Sequence, residues 1–400
     1  MPMRLTPWLT GCAAILMVAG PVAANTSETA FAAAVQADTG GPYALFAPDD
    51  DRTAHTIDYR HWDEALSFFV IPMGPSLREG APRVEPGTGT RIVYGHRSRF
   101  RLEGNRIAFS FLDEDVQQSL TDYRRDLERV GNELDLTRLP RNEQLAFWLN
   151  LHNVAVVEAI AQEYPLRDPA EGAFGTNKAG LQDAKLVTVK GVELSPRDIR
   201  ERIVYPNWRD PKVLYGFWRG EIGGPSIQRV AFTGENVDVL LALSAEEFVN
   251  SLRGIEAYGG SLRLSPIYRD AEPFFFQDES ALREHLNTYA REDVKGLLSS
   301  DRGIAYKRYE SDIADLLYGR GDPGINFVCT QLAGEFGFLL QAPSVQNCSD
   351  QRTVPNRALQ RLIEERSRKL NKAYRRGIRT GMVIFGDGQY AEGDAPKEVE

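Results

Sequence analysis

The sequence has few of the residues that bind metals or form covalent intermediates. It contains only three cysteines and five histidines in 400 residues. The histidines form no HxxxH or HxH pair, so we predict no metal site, and we predict no cofactor. A phosphate-binding loop is missing as well, because no glycine-rich turn is followed by Gly-Lys-Ser or Gly-Lys-Thr. Basic residues are in the minority, and the net charge of -9 argues against nucleic acid as the partner.

Long apolar runs are missing except near the N-terminus. The run at residues 13–24 follows Arg4 and ends in small residues. It is shorter than the roughly 20 residues that a membrane span needs, and it is typical of an export signal cleaved after Ala24. A lipoprotein signal ending at Cys12 is the alternative, but its apolar run should precede the cysteine. We therefore expect a periplasmic or secreted protein whose partner is a small ligand or an envelope protein.

Removal of this signal would leave two cysteines, Cys329 and Cys348. In an oxidising compartment such a pair predicts a disulfide that closes a loop of about 20 residues. The bond would add roughly 3 kcal/mol to the stability. Two buried free thiols, or a nucleophilic thiol at Cys329, are the alternatives.

Hydrophobic periodicity predicts an α+β fold that is rich in helices. Helices are predicted at residues 56–74, 111–130, 142–164, 195–203, 237–252 and 278–297, with Ser195 as an N-cap. Strands are predicted at residues 185–192, 212–218 and 260–268. We expect the central helix to be buried and packed on a small, mostly antiparallel sheet.

The chain is predicted to divide into segments of different character. After the signal come a helical and loop-rich region (25–138), a central domain (139–270), a helical extension (271–350) and a basic amphipathic helix with an acidic tail (351–400). Residues 351–380 hold ten lysines and arginines but two acids. A helix docked on the protein with a solvated basic face is the favoured interpretation of this segment, and contact with an anionic membrane is the alternative.

The central helix carries polar residues inside an apolar surface, namely Glu143, Asn150, His152 and Asn153. Buried amides and carboxylates need hydrogen-bond partners. One interpretation is that they clamp the backbone of neighbouring loops. The other is that Glu143, Asn150 and His152 approach a cleft, although the helical spacing points His152 in a different direction from the other two.

The second polar feature is the glycine-rich sequence GFWRGEIGGP at residues 216–225. Backbone N–H groups of such a loop can form an anion-binding nest, which would involve Gly223 and Gly224, and Arg219 would add positive charge. Glu221 could serve as an acid or a base. The alternative is that the glycines only allow a tight turn of the chain after a buried strand.

These sequences resemble a known family. NEQLAFWLNLHNV (142–154) is similar to the signature of the domain of unknown function 547, and GVELSPRDI (191–199), DPKVLYGFWRGEIGGPSI (210–227) and LRLSPIY (262–268) resemble its later blocks. The resemblance covers about residues 139–270. The family has been likened to papain-like thiol enzymes in fold.

The departures from the family pattern bear on function. Gly224 occupies the place of the family's cysteine before the proline, and Arg219 the place of a second cysteine. Glu201 stands where the family commonly has histidine, and His152 where it has tyrosine. Because a thiol mechanism needs a thiolate and a base, we expect a non-catalytic protein that binds through Asn150, Asn153 and the glycine loop. The alternative is a hydrolase or transferase that uses Glu221 or Glu143.

Overall fold

The computed structural model describes residues 41–49, 55–84, 95–320 and 357–378. The predicted export signal, Cys329 and Cys348 lie outside these residues. The export and disulfide predictions therefore stay predictions.

Helices dominate the described part of the chain. They are α1 (Arg60–Phe69), α2 (Glu114–Glu133), α3 (Arg141–Glu163), α4 (Val237–Val249), α5 (Pro266–Phe275), α6 (Glu279–Tyr289), α7 (Glu292–Leu298) and α8 (Arg357–Arg375). A π-helix, Asp198–Val204, continues as a single α-helical turn, Tyr205–Asn207. None of the described helices is both long and apolar enough to cross a bilayer.

The strands form small sheets, which are mostly antiparallel as predicted. They are β1 (Val70–Pro72), β2 (Asn105–Ile107), β3 (Val187–Val189), β4 (Val192–Leu194), β5 (Ile255–Tyr258), β6 (Ser261–Leu264) and β7 (Ile304–Tyr306). The pairs β1–β2, β3–β4 and β5–β6 are antiparallel, and β7 joins β6 in parallel. The described strands thus belong to three separate sheets and not to one.

Helix α3 lies at the centre of the core. Every residue from Glu143 to Ala161 is buried, and the helix packs against α2, α4 and the π-helix. At Gly131 of α2, an added Cβ would lie 2.9 Å from the ring of Phe147, so the glycine lets α2 approach α3 closely. The predicted helix-rich α+β fold with a central buried helix is confirmed.

The strand predicted at residues 212–218 is wrong. Residues Pro211–Gly216 form a 3₁₀ helix, followed by irregular chain. Asp210 caps its first turn by accepting from Lys212 N, and Pro211 fixes a helical φ at the first position. The apolar run that suggested a strand is buried, but a short buried run is compatible with either structure.

Two other predicted element boundaries are wrong, and capping residues explain where the elements begin and end. The strand predicted at 260–268 ends at Leu264 because Ser265 caps α5, with Pro266 at its first position. The helix predicted at 278–297 is interrupted at Ala290, which is extended. The predicted N-cap at Ser195 is confirmed, since its Oγ accepts from Asp198 N while the Asp198 carboxylate accepts from Ser195 N.

Helix α8 is docked on the body beside β1 and β2. Its apolar face packs with Ile71, Met73, Leu102, Leu316 and Leu317. The basic face also makes contacts there. Lys369 Nζ donates to the carbonyls of Met73, Gly74 and Leu102, and the Glu365 carboxylate forms a buried two-bond ion pair with Arg101.

Candidate functional site

Two polar side chains of α3 hold neighbouring loops by their backbone. Glu143 accepts hydrogen bonds from Ile57 N at 2.8 Å and Gly234 N at 3.0 Å. Asn150, which is 0% exposed, donates to Phe232 O at 2.7 Å and accepts from Phe232 N at 3.1 Å. Burial raises the pKa of Glu143, and the two backbone donors oppose that shift. The predicted clamping of loop backbone is confirmed for both residues.

Asn153 holds the chain that leads into the glycine loop. Its Nδ2 donates to Gly216 O at 3.0 Å, and its Oδ1 accepts from Trp218 N at 3.1 Å. The same oxygen lies 3.0 Å from His152 Nδ1. The side-chain amide therefore fixes the residues just before Arg219, which is the first charged residue of the loop.

His152 points away from Glu143 and Asn150, as its helical position predicted. Its Nε2 lies 3.2 Å from the guanidinium of Arg200. Burial lowers the pKa of His152 well below its usual value, and the charge of Arg200 lowers it further. A neutral ring that accepts from Arg200 at Nε2 must carry its proton on Nδ1, where it donates to Asn153. The ring of His152 thus forms hydrogen bonds with both the Asn153 side chain and the buried Arg200 guanidinium.

Arg200 comes from the π-helix and is 1% exposed. It donates to Gln182 Oε1 at 2.8 Å, and the side-chain amide of Gln182 donates to Arg219 O. Burial lowers the pKa of Arg200 to about 10, and repulsion by Arg219 contributes to the shift. The guanidinium is therefore held mainly by neutral acceptors, with the nearest Glu201 oxygen at 3.7 Å.

Arg219 and Glu221 meet within this polar region. The Arg219 guanidinium donates to Asp270 Oδ2 at 3.2 Å, and its side chain is 13% exposed. Glu221 is 4% exposed. Burial raises its pKa to about 7, although Tyr309 and Arg219 favour the charged form. We call Arg200, Arg219, Glu221 and Tyr309 the polar cluster.

A distant segment, residues 308–314, lies across the glycine loop, and we call it the strap. Ile222 N donates to Asp312 O at 2.8 Å, and Gly223 N donates to Glu310 O at 2.9 Å. In return, Ala314 N donates to Gly220 O at 2.9 Å. Of the two predicted anion-nest donors, Gly223 N is therefore occupied by a strap carbonyl, and Gly224 N donates to Glu221 O at 3.4 Å within the loop.

The glycines of the loop make room for the strap. A Cβ at Gly223 would lie 2.8 Å from Glu310 O, which is backbone. A Cβ at Gly224 would lie 2.9 Å from the Tyr309 hydroxyl. Contacts this short do not occur for real side chains, so a larger residue at Gly223 would displace the strap backbone, and one at Gly224 would displace the end of the Tyr309 side chain. The position of the family's cysteine is thus covered by Tyr309.

A groove of about 590 Å³ runs along the outer side of the strap. Its lining residues are mostly charged: Arg167, Asp168, Glu171, Arg308, Tyr309, Glu310, Ser311 and Asp312. Ser311 donates to Asp168 Oδ2 at 2.7 Å. Burial raises the pKa of Glu310 and of Asp312, and repulsion by a nearby carboxylate adds to each shift. The groove therefore holds carboxylates in positions where their charge is unfavourable.

The sequence did not identify three members of this region. Arg200 and Gln182 lie near recognised motifs, and the helical spacing of Arg200 within SPRDIRERI could have placed it on the inner face. Nothing local could have identified Tyr309, because its position opposite Gly224 depends on a contact between residues 85 apart in the sequence.

Comparison with protein families gave one match. The family model described as "Protein of unknown function, DUF547" matches residues 136–249. Comparisons with curated proteins and with solved structures gave no match. Among the described residues, no group of three or more histidine, cysteine or acidic side chains could hold a metal ion. The matched residues contain α3, the π-helix, the glycine loop and α4, so the predicted resemblance is confirmed over these residues; the LRLSPIY block (262–268) lies outside the match. Residues 136–249 of this chain form a DUF547 domain.

Proposed function

We propose that this protein is exported, and that its DUF547 domain binds a ligand or a partner at the glycine loop without thiol chemistry. The observation that carries the proposal is the contact at Gly224. The family's cysteine position has no side chain, and the Tyr309 hydroxyl would lie 2.9 Å from any Cβ placed there. A loop that accepts another part of the chain at this distance is built as a contact surface.

The neighbouring side chains also favour binding over thiol catalysis. A thiol nucleophile needs a base that can take its proton. His152 is engaged on both ring nitrogens, by Arg200 and Asn153. Its ring is 0% exposed, so the histidine serves the clamp and is not available to a substrate.

Unsatisfied polar groups supply the attraction for a ligand. Within the described residues, the Tyr309 hydroxyl and Arg200 Nε are buried without a hydrogen-bond partner. Burial raises the pKa of the Tyr309 hydroxyl well above its usual value, and the neighbouring Glu221 carboxylate raises it further. A buried polar group left unpaired costs about 1–3 kcal/mol. A polar group could pair with these atoms and recover part of that free energy only after the strap moves aside, because Arg200 is 1% exposed.

Acid–base catalysis by Glu221 is the second proposal, and one observation favours it. Burial raises the pKa of this carboxyl to about 7, which is near the optimum for a general acid or base at neutral pH. Arg219 could then hold an anionic substrate group. Access argues against it, because the strap leaves only 4% of Glu221 exposed.

Turnover measurements separate the two proposals. The full chain, its Glu221→Gln variant and a Glu284→Gln control on exposed α6 would be incubated with p-nitrophenyl acetate and with a p-nitroanilide amide. We expect all three proteins to give the same rate as buffer. A rate that is lost in Glu221→Gln and kept in Glu284→Gln would overturn the binding proposal in favour of catalysis.

A further inference from the structure

We infer that strap residues 309–312 act as an intramolecular peptide ligand, and that the partner of the glycine loop is an extended polypeptide segment that replaces them. The inference rests on the proposed binding function and gives it a partner class.

The loop recognises the strap through its main chain. Ile222 N and Gly223 N donate to strap carbonyls two residues apart, and Glu221 pairs with Ile313 as an antiparallel bridge. These two bonds use only strap carbonyls, which every residue carries, so another extended chain can form them, and main-chain hydrogen bonds are a common source of affinity when proteins bind peptides. The loop is therefore shaped for an extended backbone.

The glycines support the same conclusion. A Cβ at Gly223 would meet the backbone O and N of Glu310 at 2.8 and 2.9 Å. Glycine is the residue that allows another backbone to approach this closely. A loop that bound only a small ligand would not need to clear a continuous length of chain.

The side chains of the strap suit their places poorly. The Tyr309 hydroxyl is buried without a partner. The carboxylates of Glu310 and Asp312 are half-buried, and burial is the main cause of their raised pKa values; Asp312 and Asp168 add repulsion, which Arg167 at 3.6 Å from Asp312 only partly offsets. A segment with an aromatic ring in the Tyr309 place and uncharged side chains in the Glu310 and Asp312 places would keep the main-chain bonds and lose this repulsion. Such a partner competes favourably with the strap.

The strap is anchored at both of its ends, because β7 directly precedes it and Lys307 N donates to Leu264 O at 3.0 Å. From Ile313 to Tyr318 every residue is buried, whereas residues 308–312 are exposed or half-buried. Ile313 N donates to Arg167 O, and Ala314 O accepts from Ile107 N. Residues 309–312 can therefore lift as a short bulge while Lys307 and Ile313 stay in place.

Hydrogen exchange of the wild-type chain tests whether the strap lifts. The amides of Ile222 and Gly223 should exchange by a local opening, at least about 100-fold faster than the Leu151 amide in buried α3, after correction for intrinsic rates. Equal protection at all three sites would mean that the strap opens only when the whole domain unfolds, and that result would overturn the inference.

Peptide binding tests the partner class. The labelled peptide KRYQSNIA carries the strap sequence 307–314 with Glu310→Gln and Asp312→Asn, and KRAQSNIA is its control without the ring. Fluorescence anisotropy should show that a Tyr309→Ala protein, whose ring no longer fills the site, binds the first peptide at least about tenfold more tightly than the second. Wild type should bind both more weakly, because its own strap competes at a high effective concentration.

Equal affinity of the Tyr309→Ala protein for the two peptides, or no binding of either, would overturn the inference. Circular dichroism would establish that the Tyr309→Ala variant is folded. The hydrogen-exchange experiment uses wild type and does not depend on this variant. A failed peptide experiment together with the absence of Glu221-dependent turnover would leave the non-catalytic binding proposal standing. Glu221-dependent turnover would instead remove the function on which the inference rests.

Discussion

The buried carboxylate of Glu221 makes a quantitative prediction about stability. Burial raises its pKa from an ordinary 4.5 to about 7. Each pKa unit corresponds to about 1.4 kcal/mol of differential interaction, so the shift amounts to about 3 kcal/mol of folding free energy. This is the free energy by which the charged form is less favourable in the folded state than in the unfolded chain.

The sign follows from proton binding. Below about pH 4.5 the carboxyl is neutral in both states, and its full contribution to stability is present. Between about pH 4.5 and 7 the unfolded chain loses this proton while the folded protein keeps it. Stability therefore falls as the pH rises through this window, and the loss is complete above the folded pKa.

The Glu221→Gln variant isolates this contribution because glutamine has the same shape and stays neutral. The free energy of unfolding would be measured in urea at pH 5 and pH 8 by tryptophan fluorescence. Relative to wild type, the variant should gain about 2–3 kcal/mol between the two pH values. Other titrating groups contribute to both proteins and cancel in this comparison.

The exposed Glu284→Gln substitution is the matched control and should follow wild type at both pH values. The reasoning would be refuted if the Glu221→Gln and wild-type stabilities ran parallel from pH 5 to pH 8. Parallel curves would mean that Arg219 and Tyr309 fully compensate the burial of the carboxylate. Burial of the charged Glu221 carboxylate would then cost no net folding free energy.

Further substitutions test the clamp, the docked helix and the closed thiol position. Asn150→Leu should reduce the free energy of unfolding by about 2–4 kcal/mol in urea, because two buried backbone groups lose their partners; a loss below about 0.5 kcal/mol would contradict the clamp. Glu365→Gln should speed hydrogen exchange throughout α8 because its buried arginine partner is left uncompensated, whereas the exposed Glu364→Gln control should not. Gly224→Cys should destabilise by about 1–3 kcal/mol through overpacking against Tyr309, and its new thiol should stay unreactive to iodoacetamide in the folded protein; rapid labelling would show that the position is open.

The sequence predicted the structure best where the signal was local. The apolar surface of α3 predicted a buried helix, and the unpaired amide of Asn150 predicted a clamp on backbone. Ser195 was recognised as an N-cap because capping depends on residues within one turn. In each case the physical cause lies in a few consecutive residues.

Prediction failed where two local interpretations were equally compatible with the pattern. The buried run at 212–218 fits a strand or a short helix, and the cap at Asp210 decided in favour of the helix. The helix after Ser265 was missed although serine followed by proline is a helix-start signal. Here the information was present, but the apolar alternation of the preceding strand was extended too far.

The geometry of the site could not be predicted from the sequence, for a different reason. The glycine loop was recognised, but its covering by the strap depends on contacts between residues about 85 apart. The raised pKa of Glu221 has the same origin, since it requires the burial that the strap provides. Charged residues in a loop predict an exposed site, and only the tertiary structure reverses that expectation.

The arrangement explains why the polar residues of α3 remain useful without a thiol at Gly224. Asn153 binds Gly216 O and Trp218 N, and these residues set the path of the chain into Arg219 and the loop beyond. The clamp thus controls the position of the backbone N–H groups that bind the strap, whatever side chain stands at Gly224. A thiol enzyme and a peptide-binding domain would need the same positioning, because both depend on where this loop places its backbone. Glycine at position 224 therefore leaves the physical reason for the buried amide of Asn153 unchanged.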